Sequence, residues 1–172
     1  MAITIVGLGP GPLEQMSLGA WRVIEAAEEV YVRTARHPTV QALPPSLAVY
    51  PFDDVYEQHD TFEAVYEEIA QRVVGLGERP QGVVYAVPGH PLVGELSVQR
   101  VLALARQTGQ TVGIMPSGSF VSPMLVALGL DGLEMQIVDA VEVAHCWHPP
   151  VRVDGPVILG QLYDRDTASA VK

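Results

Sequence analysis

Three short stretches have the composition of a binding site: Gly9-Pro10-Gly11, Pro88-Gly89-His90-Pro91 and Ser117-Gly118-Ser119-Phe120. None contains a Lys, Arg, Asp or Glu. Each follows a run of apolar, β-branched residues, which places it at the end of a strand. In α/β domains the loops at the carboxyl ends of parallel strands line the ligand crevice. Proline fixes φ and removes a backbone donor, whereas glycine reaches positive φ and lets a ligand approach the main chain closely. Such loops are shaped before anything binds. Together they suit a neutral-to-zwitterionic ligand with a flat aromatic ring, held by backbone groups and apolar walls. Any one of them alone is equally consistent with an ordinary strand-to-helix turn.

Other motifs exclude chemistry. Gly7-x-Gly9-x-Gly11 departs from the dinucleotide fingerprint, which needs two residues before its third glycine. Pro10 and Pro12 also remove amides that would cradle a pyrophosphate. There is no Gly-x-x-x-x-Gly-Lys-Ser/Thr phosphate loop and no Gly-x-Ser-x-Gly nucleophile elbow. His145, Cys146 and His148 match no zinc-ligand spacing, so no metal is expected. His90, a lone loop histidine, reads as a hydrogen-bonding group rather than a proton-transfer group. Tyr56, His59 and Asp60 fit a solvated loop and helix cap, and Glu63, Glu67 and Glu68 a solvated helix face.

The elements that position these loops follow from periodicity. Ile3 to Val6, Val30 to Val32, Leu47 to Tyr50, Val83 to Val87 and Thr111 to Met115 read as strands. Between them, helical patterns start at Ser17 (an N-cap), run from Phe62 to Val73 before Gly75 and Gly77 stop them, and run from about Glu95 to Ala105. Strands alternating with helices predict a parallel sheet with helices on both faces. The character changes near Met115 to Pro123, which divides the chain into an N-terminal α/β domain, 1–115, and a C-terminal α/β domain, 116–172. The second is expected to be incomplete, since Thr167 to Lys172, after Leu162-Tyr163-Asp164, reads as the start of a helix without a returning strand.

Bulk properties narrow the partners. Ten Lys and Arg stand against 20 Asp and Glu, a formal net charge of −10, which disfavours nucleic acid. The single cysteine, Cys146, excludes an internal disulfide and fits a reducing compartment. The first apolar run is broken by Gly7, Gly9, Pro10 and Gly11, so neither a signal peptide nor a membrane span is read there. A cytoplasmic location is expected.

Val6-Gly7-Leu8-Gly9-Pro10-Gly11, Tyr31-Val32-Arg33-Thr34 with His37-Pro38, Phe52-Asp53 with Tyr56-Glu57, Val84-Tyr85-Ala86-Val87-Pro88-Gly89-His90-Pro91 and Gly160-Gln161-Leu162-Tyr163-Asp164 together resemble the tetrapyrrole (corrin and porphyrin) methylase family. The likeness spans essentially the whole chain. It is nearest to the methylase-like N-terminal half of bacterial proteins fused to a MazG-type nucleotide pyrophosphohydrolase. The resemblance implies two α/β domains, S-adenosylmethionine as cofactor with S-adenosylhomocysteine as product, and a homodimer. Carried over by position, it implies cofactor contacts at Gly9, Pro10, Gly89, His90, Val93, Ser119, Phe120 and Leu162. Arg33, Tyr56 and His59 are then the candidates facing the methyl acceptor, a tetrapyrrole by family default. Many members have Asp where this chain has His90. Two functions follow: methyl transfer to a small-molecule acceptor, or a cofactor-binding regulatory or scaffold domain serving a MazG-type partner.

Overall fold

A computed structural model describes residues 3–172. The elements run β1 (Ile3–Gly7), α1 (Leu18–Glu25), β2 (Glu29–Val32), α2 (Pro38–Gln41), β3 (Ala48–Pro51), α3 (Asp53–Gln58), α4 (Phe62–Gly77), β4 (Val83–Val87), α5 (Leu96–Gln107), β5 (Val112–Met115), α6 (Val121–Leu128), β6 (Gln136–Asp139), α7 (Ala140–His145), β7 (Val157–Gly160) and α8 (Arg165–Ala170). They form two compact units, one ending at Pro123 and the other running Met124–Lys172.

The first unit is built on a parallel five-stranded sheet in the order β3-β2-β4-β1-β5. Because β1 and β4 are central and covered on both faces, their sequences are nearly all apolar, Thr4 being the exception, rather than alternating. Ile3 and Ile5 of β1 and Val83, Tyr85 and Val87 of β4 pack on one face against Val65, Ile69 and Val73 of α4 and Val98 and Val101 of α5. Val6 of β1, Val30 and Val32 of β2 and Ala86 of β4 face Ala20 and Ile24 of α1 on the other. The expected parallel sheet with helices on both faces is what forms. β4 enters between β2 and β1 after the chain has already moved out to β3. The direction of winding reverses there, so a crevice opens at the carboxyl edge beside β1 and β4.

Local signals explain several boundaries. Ser17 caps α1, its Oγ accepting from the Ala20 amide at 3.1 Å, as its position predicts. Helix α4 does not stop at Gly75 but continues to Gly77. Burial of Val73 and Val74 outweighs the roughly 1 kcal/mol that an interior glycine costs. A Cβ on Gly77 would lie 2.7 Å from Ile3 Cγ1, so this glycine serves the close approach of helix to sheet. Tyr56, read as part of a solvated loop, lies in helix α3. Asp53 and Asp54 occupy the first turn of α3, where negative charge complements the helix dipole.

In the second unit β6 and β7 form a two-stranded parallel sheet, pairing Gln136 with Val157 through Asp139 with Gly160. The stretch before Cys146 contains α7, capped by Asp139, whose side chain accepts from the Val141 amide at 2.8 Å. This unit buries little, Ala140 and Ile158 being its fully covered apolar side chains. Leu133 is 94% and Val153 98% exposed. Among the described residues no helix is long and apolar enough to cross a membrane.

Candidate functional site

The three Pro/Gly/Ser loops of the sequence meet at the carboxyl edge of the five-stranded sheet. Gly9 and Gly89 exchange backbone hydrogen bonds, Gly9 N–H to Gly89 O at 3.2 Å and Gly89 N–H to Gly9 O at 2.8 Å. Both adopt positive φ, +79° and +67°, which the bridge requires and which glycine reaches without strain. The first and second loops are therefore joined main chain to main chain. The third is tied in through Ser17, whose amide donates to Ser117 Oγ at 2.8 Å and whose hydroxyl donates to Pro116 O at 2.6 Å. A Cβ on Gly118 would stand 3.3 Å from Pro10 Cδ, so Pro10 and the third loop are in contact. Over Gly89 the side-chain position is open, with nothing within 4 Å.

Gly9, Pro10, Gly89 and His90 are thus assembled in one place. His90 Nδ1 accepts from the Leu92 amide at 3.1 Å and its carbonyl from the Val93 amide at 3.0 Å, closing a tight turn. With Nδ1 engaged as an acceptor, the neutral ring carries its proton on Nε2 and offers a donor there, where a carboxylate would offer acceptors. Ser119 Oγ accepts from the Val121 amide at 3.3 Å, and Phe120 directly precedes α6. Leu162 belongs to the second unit, between β7 and α8, and is exposed.

Behind the first loop, Thr39 Oγ1 donates to the Leu8 and Gly11 carbonyls at 3.1 and 2.9 Å. His37 lies beside it, 8% exposed, its Nδ1 without a hydrogen-bond partner. Burial lowers the His37 pKa below its ordinary 6.5; a hydrogen bond to the Gly9 backbone opposes this and the nearby Arg33 charge adds to it. A depressed folded-state pKa means the unfolded chain takes up the proton first. Stability is therefore full above pH about 6.5 and declines as pH falls below it, by at most about 1.4 kcal/mol per pH unit from this group. Urea unfolding at pH 7.5, 6.5 and 5.5 is expected to show a steeper fall for the wild type than for His37→Gln.

Beside the loops, at the ends of β2 and β4, a buried polar cluster surrounds Arg33. Its Nε lies 3.3 Å from Glu95 Oε2, and its Nη1 donates to Tyr56 OH at 3.5 Å and Tyr66 OH at 3.4 Å. Glu95 Oε1 accepts from Ser97 Oγ at 2.7 Å, and Ser97 shares a 2.7 Å hydrogen bond with the fully buried Tyr85 hydroxyl. Burial holds the Glu95 carboxyl above the usual carboxylate range, with Arg33 and Ser97 opposing. For Arg33 burial acts downward, but Glu95 and the tyrosines outweigh it, so the guanidinium stays cationic. Burial likewise raises the Tyr56 and Tyr66 phenols, against the pull of Arg33, and both remain protonated at neutral pH.

His59 does not join this cluster. It pairs with Glu68, which also binds Arg72, and Arg72 reaches Asp54 at 2.8 Å. Arg33 and Tyr56 of the sequence-derived trio come together; His59 is held by another network. Glu95, Ser97, Tyr66, Tyr85, Thr39 and His37 were not singled out from sequence as site residues. A signal existed for Glu95, an acid directly between a Pro/Gly loop and a helical run.

A sequence model of the tetrapyrrole (corrin/porphyrin) methylases matches residues 2–165. The chain belongs to the tetrapyrrole methylase family. Among curated proteins, this family member is 40% identical over 174 residues to the uncharacterized protein YabN of Bacillus subtilis, covering 99% of the chain but 34% of YabN. It is also 30% identical over 135 residues to a methyltransferase/type III borosin cyclic peptide precursor of Anomoporia bombycina, 75% of this chain and 15% of that one. The chain thus spans 34% of one of these curated relatives and 15% of the other. Among solved structures, the uroporphyrin-III C-methyltransferase of Thermus thermophilus superposes with a TM-score of 0.62 at 26% identity, over 82% of this chain and 61% of that one. A structure of a uroporphyrin-III C-methyltransferase from the same organism complexed with S-adenosylhomocysteine gives 0.52 at 26% identity, over 81% and 56%. Diphthine synthase shares the fold, with a TM-score of 0.60 at 19% identity over 81% of this chain and 55% of that one.

Proposed function

We propose that the chain binds S-adenosylmethionine against the three joined loops and transfers its methyl group to a small-molecule acceptor at the Arg33–Tyr56 side. The observation that carries this reading is the Gly9–Gly89 backbone junction with open space over Gly89. It makes a charge-poor, rigid main-chain wall against which a zwitterionic cofactor with a flat base can lie. The residues fit that group: Gly89 leaves room for it, and His90 and Val93 stand in the same turn. Family membership and a related methyltransferase complexed with S-adenosylhomocysteine support the same ligand.

When bound, S-adenosylmethionine supplies an electrophilic methyl group on a sulfonium that leaves as a neutral thioether. The protein's part in such a displacement is positioning and exclusion of water. Tyr56 and Tyr66, as protonated phenols beside Arg33, orient an acceptor through hydrogen bonds and do not serve as bases at neutral pH. Glu95 offsets the Arg33 charge, so the acceptor side is close to electrically balanced.

The alternative is a domain that binds the cofactor without transferring methyl, as a regulator or scaffold beside a MazG-type nucleotide pyrophosphohydrolase. What favours keeping it is His90, a donor at a position where many relatives have Asp. Melting with and without S-adenosylhomocysteine separates binding from no binding. At a hundred times its dissociation constant the ligand is expected to stabilise the fold by about 2.7 kcal/mol, roughly 5–10 °C in Tm. No shift with either form of the cofactor overturns both readings. Given a shift, transfer of label from methyl-labelled S-adenosylmethionine to candidate acceptors supports the enzyme reading; binding with no transfer across the screen leaves the regulatory one.

A further inference from the structure

The loop from Pro88 to Gly94 is fastened at both ends, by different means. At its start the Gly9–Gly89 pair joins it to the first loop through backbone. At its far end stands Glu95, at the N-cap position of α5, its side chain 4% exposed. Oε1 accepts from Ser97 Oγ at 2.7 Å, and Oε2 forms an ion pair with Arg33 Nε at 3.3 Å without hydrogen-bond geometry. Ser97 continues to Tyr85 on β4, the strand that delivers the loop, and Arg33 follows β2, the neighbouring strand. One acid therefore ties the foot of the loop to two strands at once.

A buried ion pair is a weak stabiliser. Desolvating both charges costs several kcal/mol, and a packed apolar pair in the same space is often as stable or more so. Such a group is suited to imposing one geometry, because its charge pairing with Arg33 and the directed hydrogen bond from Ser97 tolerate less displacement than apolar contact. We propose that Glu95 is a positioning residue for the cofactor: acting through Arg33 and Ser97, it fixes the register of the Pro88–Gly94 loop and so the placement of Gly89 and His90. This rests on the cofactor reading above.

The test is calorimetric titration with S-adenosylhomocysteine, alongside thermal melting of each ligand-free protein. Arg33→Met combined with Glu95→Met replaces the pair by apolar side chains. The double variant is expected to melt near or above the wild type yet bind the product about tenfold more weakly, the loss of a preorganised loop. A double variant with wild-type Kd overturns the proposal, since a merely structural pair is fully replaced by apolar packing. Should the double variant not fold, Glu95→Gln decides, because it keeps size and an acceptor for Ser97 and removes only the charge. Its Kd is expected to rise several-fold, toward that of the double variant; an unchanged Kd overturns the proposal. If the wild type itself binds no S-adenosylhomocysteine, the cofactor reading fails and this inference with it, a result distinct from wild-type binding with unaffected variants.

Discussion

Replacing Gly7 by alanine is expected to cost about 1–3 kcal/mol of stability, with valine costing more, and to abolish cofactor binding. A Cβ at Gly7 would stand 2.7 Å from the Gly89 carbonyl oxygen, 2.8 Å from Pro91 Cδ and 3.0 Å from Ser117 Cβ. Those neighbours are a backbone atom, a proline ring and the first atom of a side chain, none of which can swing away. The three contacts belong to the second and third loops, so one methyl group pushes apart the junction to which we assign the cofactor. The contrasting change is Gly75→Ala. Gly75 is exposed in α4, with ordinary negative φ and nothing within 4 Å of its Cβ position, and alanine there is expected to stabilise by about 1 kcal/mol. Urea midpoints of the two variants should move in opposite directions. Gly7→Ala with wild-type affinity for S-adenosylhomocysteine would show that the junction is not the cofactor wall.

The second large effect is at Arg33. Arg33→Met removes the cation and leaves Glu95 buried beside Ser97 alone, a change that typically costs about 3–5 kcal/mol. The loss depends on pH in a definite direction. Glu95 already titrates above the usual 4.5 because it is buried, and without Arg33 it is raised further. A raised folded-state pKa means the folded protein holds the proton that the unfolded chain has released. The stability that Glu95 contributes in the variant is therefore fully present below pH about 4.5 and is lost as pH rises through the folded pKa. Chemical unfolding of wild type and variant across pH 5–8 is expected to show the deficit widening toward the alkaline end. A deficit independent of pH would place the cost in lost Arg33 packing and not in the stranded carboxylate.

Much of the first unit was legible in the residues because its signals are local. The apolar runs beginning at Ile3 and Val83 are short, rich in β-branched residues and closed by Gly7 and Pro88, so strand and loop follow from a few consecutive side chains. Ser17 announces its helix in the same way. Where the structure departs from the sequence reading, tertiary burial overrides a local rule: α4 runs through Gly75 to end at Gly77, the second of the two glycines, because Val73 and Val74 are buried beneath it, and Tyr56 lies in a helix instead of a solvated loop. In α7 the cap at Asp139 was present in the sequence, but the helix follows β6 directly with no turn between, which hides the start.

The site divides along the same line. Composition alone determined that three loops are stiff, charge-poor and glycine-bearing, since proline and glycine act on their own φ whatever surrounds them. Only the tertiary structure decided that Gly9 meets Gly89, because the pairing depends on β4 inserting between β2 and β1, a strand order that periodicity does not encode. It alone decided that Arg33 meets Glu95, 62 positions away, while His59 is taken by Glu68. A strand pattern states which face a side chain occupies; which distant partner stands opposite is set when the helices between the strands choose their sides.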